Sequence, residues 1–251
     1  MNLVRVIPTL LLKGEGLVKT EQFKKPVYIG DPINAVRIFN EKEVDELVLM
    51  DITATAEQRD PKYEWIKDIV SESFMPIGYG GGIKNIEQAK KLFDTGIEKL
   101  IINSAAFNLE FLSSLAKIYG NQNVVVCIDS RKNFLGDYLV YTHNATQHHK
   151  MTPDAMAKLV VDAGAGEIII QSVDREGSMK GYDIDLIKLA SRAVTVPVVA
   201  SGGAGNLNDL RNAILNGGAS AVAAGSMFVF KGKHRGVLIS YPTPADLKNL
   251  F

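Results

Sequence analysis

The sequence is 251 residues long, 46% hydrophobic and 22% charged, with 28 basic side chains against 28 acidic ones and a formal net charge of zero. That balance argues against a chain that works on nucleic acid or on an anionic membrane, since both roles select a basic excess. A single cysteine, Cys127, excludes an internal disulfide and points to a reducing, cytoplasmic compartment.

From the amino terminus, the apolar stretch Leu3 to Leu12 is broken by Arg5 and Pro8 and runs into charge, so it does not read as a signal peptide. No other apolar run approaches the roughly 18 residues of a membrane helix. Short runs rich in Val, Ile and Leu then recur and predict strands over Val4–Leu12, Glu46–Ile52, Pro76–Tyr79, Lys99–Asn103, Val124–Asp129, Glu167–Ser172, Pro197–Ser201 and Ala221–Gly225. Amphipathic segments between them predict helices over Pro32–Lys42, Pro61–Ser73, Asn85–Thr95, Asn108–Tyr119, Thr152–Ala163, Asp183–Ala193 and Asn206–Asn216. Asp31-Pro32 and Asp60-Pro61 supply a cap residue followed by proline at the first helical position. Eight buried strands separated by helices require a parallel sheet covered on its outside. At this length the fold class is α/β, one (β/α)8 TIM barrel over residues 1–251. A doubly wound open sheet would carry a glycine fingerprint near the first strand, and Leu11-Leu12-Lys13-Gly14-Glu15-Gly16 is a poor match.

The chain also echoes itself. "ELVLMDITA" from Glu46 matches "EIIIQSVDR" from Glu167, "GYGGGI" from Gly78 matches "ASGGAG" from Ala200, and "LIINSAAF" from Leu100 matches "VAAGSMFV" from Val222. The offsets, all about 120 residues, predict two similar half-barrels near 1–122 and 123–230, with a divergent segment over 231–251.

Barrel chemistry sits where strands end. Here those ends carry Gly80-Gly81-Gly82, Asn103-Ser104, Ser201-Gly202-Gly203 and Gly225-Ser226. Glycine lets backbone N–H groups close on an oxyanion and a hydroxyl completes the shell, so the symmetric set predicts two phosphate sites across the mouth, suited to a ligand with two phosphates. Each glycine alone reads equally well as a tight turn. Asp51, Asp129, Asp174 and Glu176 follow other strands. Asp129 is the leading candidate for a catalytic acid or base, with Asp51 open to the alternative of a loop cap. His143, His148 and His149 read as solvated loop residues rather than ligands, and no metal or cofactor is expected.

"LVLMDITA", "GYGGGI", "IINSAA", "VVVCIDSRK", "SVDREGSMKGYD" and "VASGGAG", in this order, resemble the cyclase subunit of imidazole glycerol phosphate synthase, the HisF family, from about Arg5 to Phe230. The resemblance implies a barrel that receives ammonia from a HisH-like glutaminase and closes an imidazole ring on a bisphosphorylated substrate. It implies phosphate binding near Gly82, Asn103 and Ser104 and near Gly177, Gly203 and Ser226. It places Lys19 in a mobile active-site loop. It also makes Arg5, Glu46, Lys99 and Glu167 a charged gate at the far, amino-terminal face, where the glutaminase docks.

The pattern breaks at Leu11, where the family has a catalytic aspartate. The internal repeat marks the same position, because "VIPTLLLK" laid on "VVVCIDSR" sets Leu11 opposite Asp129. Glu176 stands for a family aspartate, Gln171 for a small polar residue, and "FKGKHRGVLISYPTPADLKNLF" for a final helix. These departures resemble the glycosyl-amidation-associated (WbuZ-like) paralogues, in which ammonia serves a separate sugar amidotransferase of surface-polysaccharide synthesis. Three readings follow: an ammonia-handling barrel for sugar amidation, a histidine-pathway cyclase using Asp129 with Lys19 or Glu176, and a non-catalytic scaffold that activates the glutaminase.

Overall fold

The structure, a computed structural model, describes residues 4–251, so Met1–Leu3, where the leading apolar stretch begins, lie outside the described residues. Among the described residues, eight strands form the barrel: β1 (Arg5–Lys13), β2 (Leu47–Asp51), β3 (Ile77–Gly80), β4 (Lys99–Ile102), β5 (Val124–Lys132), β6 (Glu167–Ser172), β7 (Val198–Ser201) and β8 (Ala221–Ala224). Each pairs in parallel with the next. The sheet closes where β8 meets β1, with Arg5 opposite Ala221 and Pro8 opposite Ala224. Pro8, which lacks an N–H, sits where pairing changes sides: the register with β8 ends at Pro8 and the register with β2 begins at Thr9.

Helices α1 (Pro32–Glu41), α2 (Tyr63–Ser71), α3 (Ile86–Asp94), α4 (Leu109–Tyr119), α5 (Pro153–Asp162), α6 (Ile184–Ser191) and α7 (Leu207–Leu215) cover the outside. Of the two predicted caps, the one before α1 forms and the one before α2 does not. Asp31 Oδ1 accepts the Asn34 N–H at 2.9 Å, whereas Asp60 accepts Gln88 Nε2 at 2.7 Å, and the helix begins two residues later without a side-chain cap.

Alternation along the strands divides two apolar layers. Val6, Leu10 and Leu12 of β1 and Val124, Val126 and Ile128 of β5 face the helices. Ile7, Val125, Cys127, Val48, Ile101 and Ile169 belong to a separate cluster that fills the barrel interior. The parity sets Arg5, Thr9 and Leu11 inward with Ile7, and Asp129 inward with Cys127. No helix among the described residues is long and apolar enough to cross a membrane.

The repeat reappears in backbone angles. Gly81 and Gly82 (φ 123° and 74°) match Gly202 and Gly203 (φ 91° and 114°). Asn85 and Asn206 cap α3 and α7 in the same extended conformation. Ser104–Phe107 and α8 (Ser226–Val229) are matching single turns, preceded by Asn103 and Gly225 with near-equal angles.

Three hairpins at the mouth were absent from the strand prediction. β1 turns back into Gly16–Glu21, which pairs with Lys24–Gly30. β5 turns back into Tyr138–Thr142, which pairs with Gln147–His149. Phe230–Lys231 pairs with Gly236–Val237. The chain then descends beside α8, with the Tyr241 ring tilted against Phe228 at 5.3 Å and its hydroxyl donating to Val6 O at 2.7 Å, and ends in α9 (Pro244–Leu250).

Candidate functional site

The carboxyl-terminal ends of the strands enclose a cavity of about 360 Å³. Leu11, Lys19, Asp51, Gly81, Gly82, Asn103, Ser104, Asp129, Glu176, Gly177, Gly202, Gly203, Gly225 and Ser226 all border it, whereas Gly80 and Asp174, also singled out at strand ends, do not. The two glycine–serine sets lie on different strands of the two half-repeats. Gly203 has no room for a side chain, since a Cβ there would come within 2.3 Å of Gly181 O. That crowding accounts for Gly203 as a packing glycine as well as a cavity-lining one.

Asp129 points inward from β5 and is 7% exposed. Asn103 Nδ2 donates to its Oδ2 at 3.1 Å, and the Cys127 thiol approaches Oδ1 at 3.6 Å. Burial pushes its pKa up to about 7, against the lowering effect of those two donors, and Glu176 adds to the rise. Asp129 can therefore exchange a proton near neutrality. The same burial and the adjacent carboxylate hold the Cys127 thiol well above its usual range, which leaves it protonated and unreactive. Lys19, 4% exposed, donates to Thr9 O at 2.5 Å. Desolvation brings its pKa down to about 8, with Glu176 opposing.

The other carboxylates are engaged in holding loops. Asp51 Oδ1 accepts the N–H groups of Thr53 and Ala54 at 3.0 and 3.1 Å, and Arg59 bonds both of its oxygens. This is the loop-cap arrangement, so Asp51 is not free to act as acid or base. Glu176 Oε1 accepts from Thr20 Oγ1 at 2.9 Å and Oε2 from the Phe23 N–H at 3.0 Å, fastening the first hairpin. Asp174 pairs with Arg131 at 2.8 Å.

The histidine segment forms a hairpin in which His148 is exposed, as expected, while His143 and His149 are partly buried. His149 stacks on Phe107 at 4.1 Å and shares a bond with Thr142, and burial lowers its pKa. The His143 N–H donates to Ser104 Oγ at 3.3 Å, and the residue lines the cavity. Sequence reasoning read His143 as solvated and did not single out Arg59 or Thr20, because each acts through contacts distant in the chain that leave no periodic signal. Among the described residues no group of three His, Cys, Asp or Glu could hold a metal.

At the opposite end, Arg5, Glu46, Lys99 and Glu167 converge. Arg5 bonds Glu46 at 2.5 Å and also Glu167, while Lys99 bonds Glu46 at 2.8 Å and Glu167 at 3.0 Å. Each carboxylate thus bridges both cations in a closed, neutral ring. Both glutamates are buried, and neutrality offsets the cost of removing them from water.

Comparison with known proteins gives the lineage. Residues 5–235 match the family model described as "Histidine biosynthesis protein". The chain is 53% identical over 239 residues to a Pseudomonas aeruginosa protein named "Putative imidazole glycerol phosphate synthase subunit hisF2", covering 95% of each chain. It is 49% identical over 249 residues to a Leptospira interrogans subunit HisF of the same description, covering 98% of each. A Vibrio vulnificus relative, described as subunit hisF3, is 44% identical over 246 residues, covering 97% of this chain and 95% of its own. The chain belongs to the histidine biosynthesis protein family and, within it, to the HisF-like imidazole glycerol phosphate synthase subunits.

Proposed function

We propose that this chain is the synthase-type subunit of a glutamine amidotransferase complex whose ammonia serves a reaction other than imidazole closure, with amidation of a surface-polysaccharide sugar as the preferred case. A glutaminase docks on the amino-terminal face around Arg5, Glu46, Lys99 and Glu167. Ammonia enters through that ring, passes the apolar interior and emerges at the mouth, where a phosphorylated ligand or a sugar amidotransferase receives it.

One observation carries this reading: Leu11 occupies the inward position that corresponds to Asp129 in the other half-barrel, while the ring at the base keeps all four charges. A leucine neither gives nor takes a proton, and a positioned acid or base contributes about 10²–10⁴-fold to rate. Loss of cyclisation beside retention of the ammonia entrance fits a barrel that delivers nitrogen elsewhere. The gate and the phosphate-binding residues, Gly81, Gly82, Asn103, Ser104, Gly177, Gly202, Gly203, Gly225 and Ser226, remain part of this proposal.

A second reading has its own support. Lys19 borders the same cavity with a pKa near 8, so it could stand in for the missing acid in a working cyclase. The experiment that separates them supplies the ribulosyl substrate and ammonium salt to the purified chain. The first reading expects no imidazole glycerol phosphate from the native sequence and its appearance in Leu11→Asp. Turnover by the native chain at a rate ordinary for the family, abolished by Lys19→Met, establishes the second.

A further inference from the structure

The first hairpin lies over the mouth and buries Lys19, yet its own outer strand cannot hold it there. Leu17, Val18 and Ile29 anchor the base of the hairpin, but towards its tip Lys24–Tyr28 is exposed throughout, with Val27 and Tyr28 58% and 67% accessible, so no apolar face secures the turn. Keeping an ammonium in a desolvated position costs free energy, which some other contact must offset. The hairpin's turn is itself strained: Gln22 and Phe23 both sit at positive φ, 53° and 62°, without being glycine.

The loop after β6 supplies the holding contacts. Both carboxylate oxygens of Glu176 and its carbonyl are spent on this turn, bonding Thr20 Oγ1, the Phe23 N–H and the Gln22 N–H at 2.9, 3.0 and 3.1 Å. One residue on, Gly177 packs so closely under the hairpin that a Cβ there would lie 2.2 Å from Thr20 O. Arg235 closes the arrangement from the third hairpin. Its Nη2 donates to Gly177 O at 2.6 Å, its Nη1 lies 3.5 Å from Glu21 Oε2, and its guanidinium sits over Phe230 at 4.8 Å. Arg235 thus joins the first hairpin to the β6 loop, and the Tyr241 hydroxyl bond to Val6 O anchors the segment that carries it.

We propose that Glu176 and Arg235 are positioning residues that latch the first hairpin over the mouth and so hold Lys19 inside the cavity. The divergent carboxyl-terminal segment thereby acquires a role: it brings a cation to the rim. The inference does not depend on which acceptor the mouth serves.

The test follows acylation of Lys19 by an amine-reactive ester at pH 8, read by mass spectrometry on the full chain, together with hydrogen exchange of residues 17–23. Loss of a charge-assisted bond should open the latch about tenfold more often. Arg235→Ala and Glu176→Gln should each raise Lys19 labelling by about that factor while labelling of Lys99 and the melting temperature stay at native values. Arg235→Lys should keep most of the protection. Lys19 labelling unchanged in both variants overturns the proposal, and so does an equal rise at Lys99, which would signal general loosening.

Discussion

At the level of single residues, Leu11 and Asp129 set an apolar and an acidic side chain on the same cavity. Asp129 has a folded pKa near 7 against an ordinary value of 3.8, with burial as the main cause. A carboxyl group that binds its proton more tightly when folded contributes stability that is complete below about pH 4 and is lost as pH rises towards 7. Asp129→Asn removes that loss. The variant should match the native protein in thermal stability at pH 4 and exceed it at pH 8 by a few kcal/mol, the scale set by about 1.4 kcal/mol per pKa unit. Melting curves across that range decide the matter, and a constant difference at all pH values would mean that Asp129 is not desolvated. The sequence showed Asp129 clearly because strand parity and the half-repeat both point to it. Asp51 was harder to read: its position at a strand end was evident, but its partner Arg59 lies in an irregular loop with no periodic signature.

At the level of elements, what the sequence made legible was whatever the core enforces. Seven of the eight barrel strands match their expected bounds to within one residue, because burial on both faces writes a continuous apolar run; β5 alone runs three residues further, to Lys132, where it leaves the barrel to pair with its hairpin. The hairpins escaped notice since Lys24–Gly30 is largely exposed and is held through backbone pairing, which leaves no hydrophobic period. The base ring lies between these cases. Its four residues could be named, but the closed geometry came only from the structure. That geometry makes Lys99 costly to remove. Lys99→Ala would leave two buried carboxylates sharing Arg5 alone, at a cost of about 3 kcal/mol. Adding Glu167→Gln to the same chain should recover much of the loss, since the two residues act on one network. Denaturant titrations of the single and double variants measure this coupling. A cost under about 1 kcal/mol for Lys99→Ala would reduce the ring to solvent-screened surface pairs.

At the level of the whole molecule, the β1–β4 and β5–β8 halves of the barrel are joined by features that neither contains alone. The seam pairs β4 with β5 through Leu100 and Val124, and β8 with β1 through Arg5 and Ala221. The base ring crosses it, with Arg5, Glu46 and Lys99 on one side and Glu167 on the other. The mouth crosses it again, since Asn103 serves Asp129 and Glu176 holds Thr20. A half made alone would expose two open strand edges and a split charge ring, conditions that favour association over independent folding. Fragments 1–122 and 123–251, divided in the turn after α4, should therefore lack a cooperative thermal transition when purified apart. Mixed, they should form a one-to-one complex that melts cooperatively, as seen by circular dichroism and size-exclusion chromatography. Glu167→Lys in the second fragment, which places three cations around Glu46, should block that assembly. If each fragment instead melts cooperatively by itself as a monomer, the halves are autonomous domains and the seam is not what completes the fold.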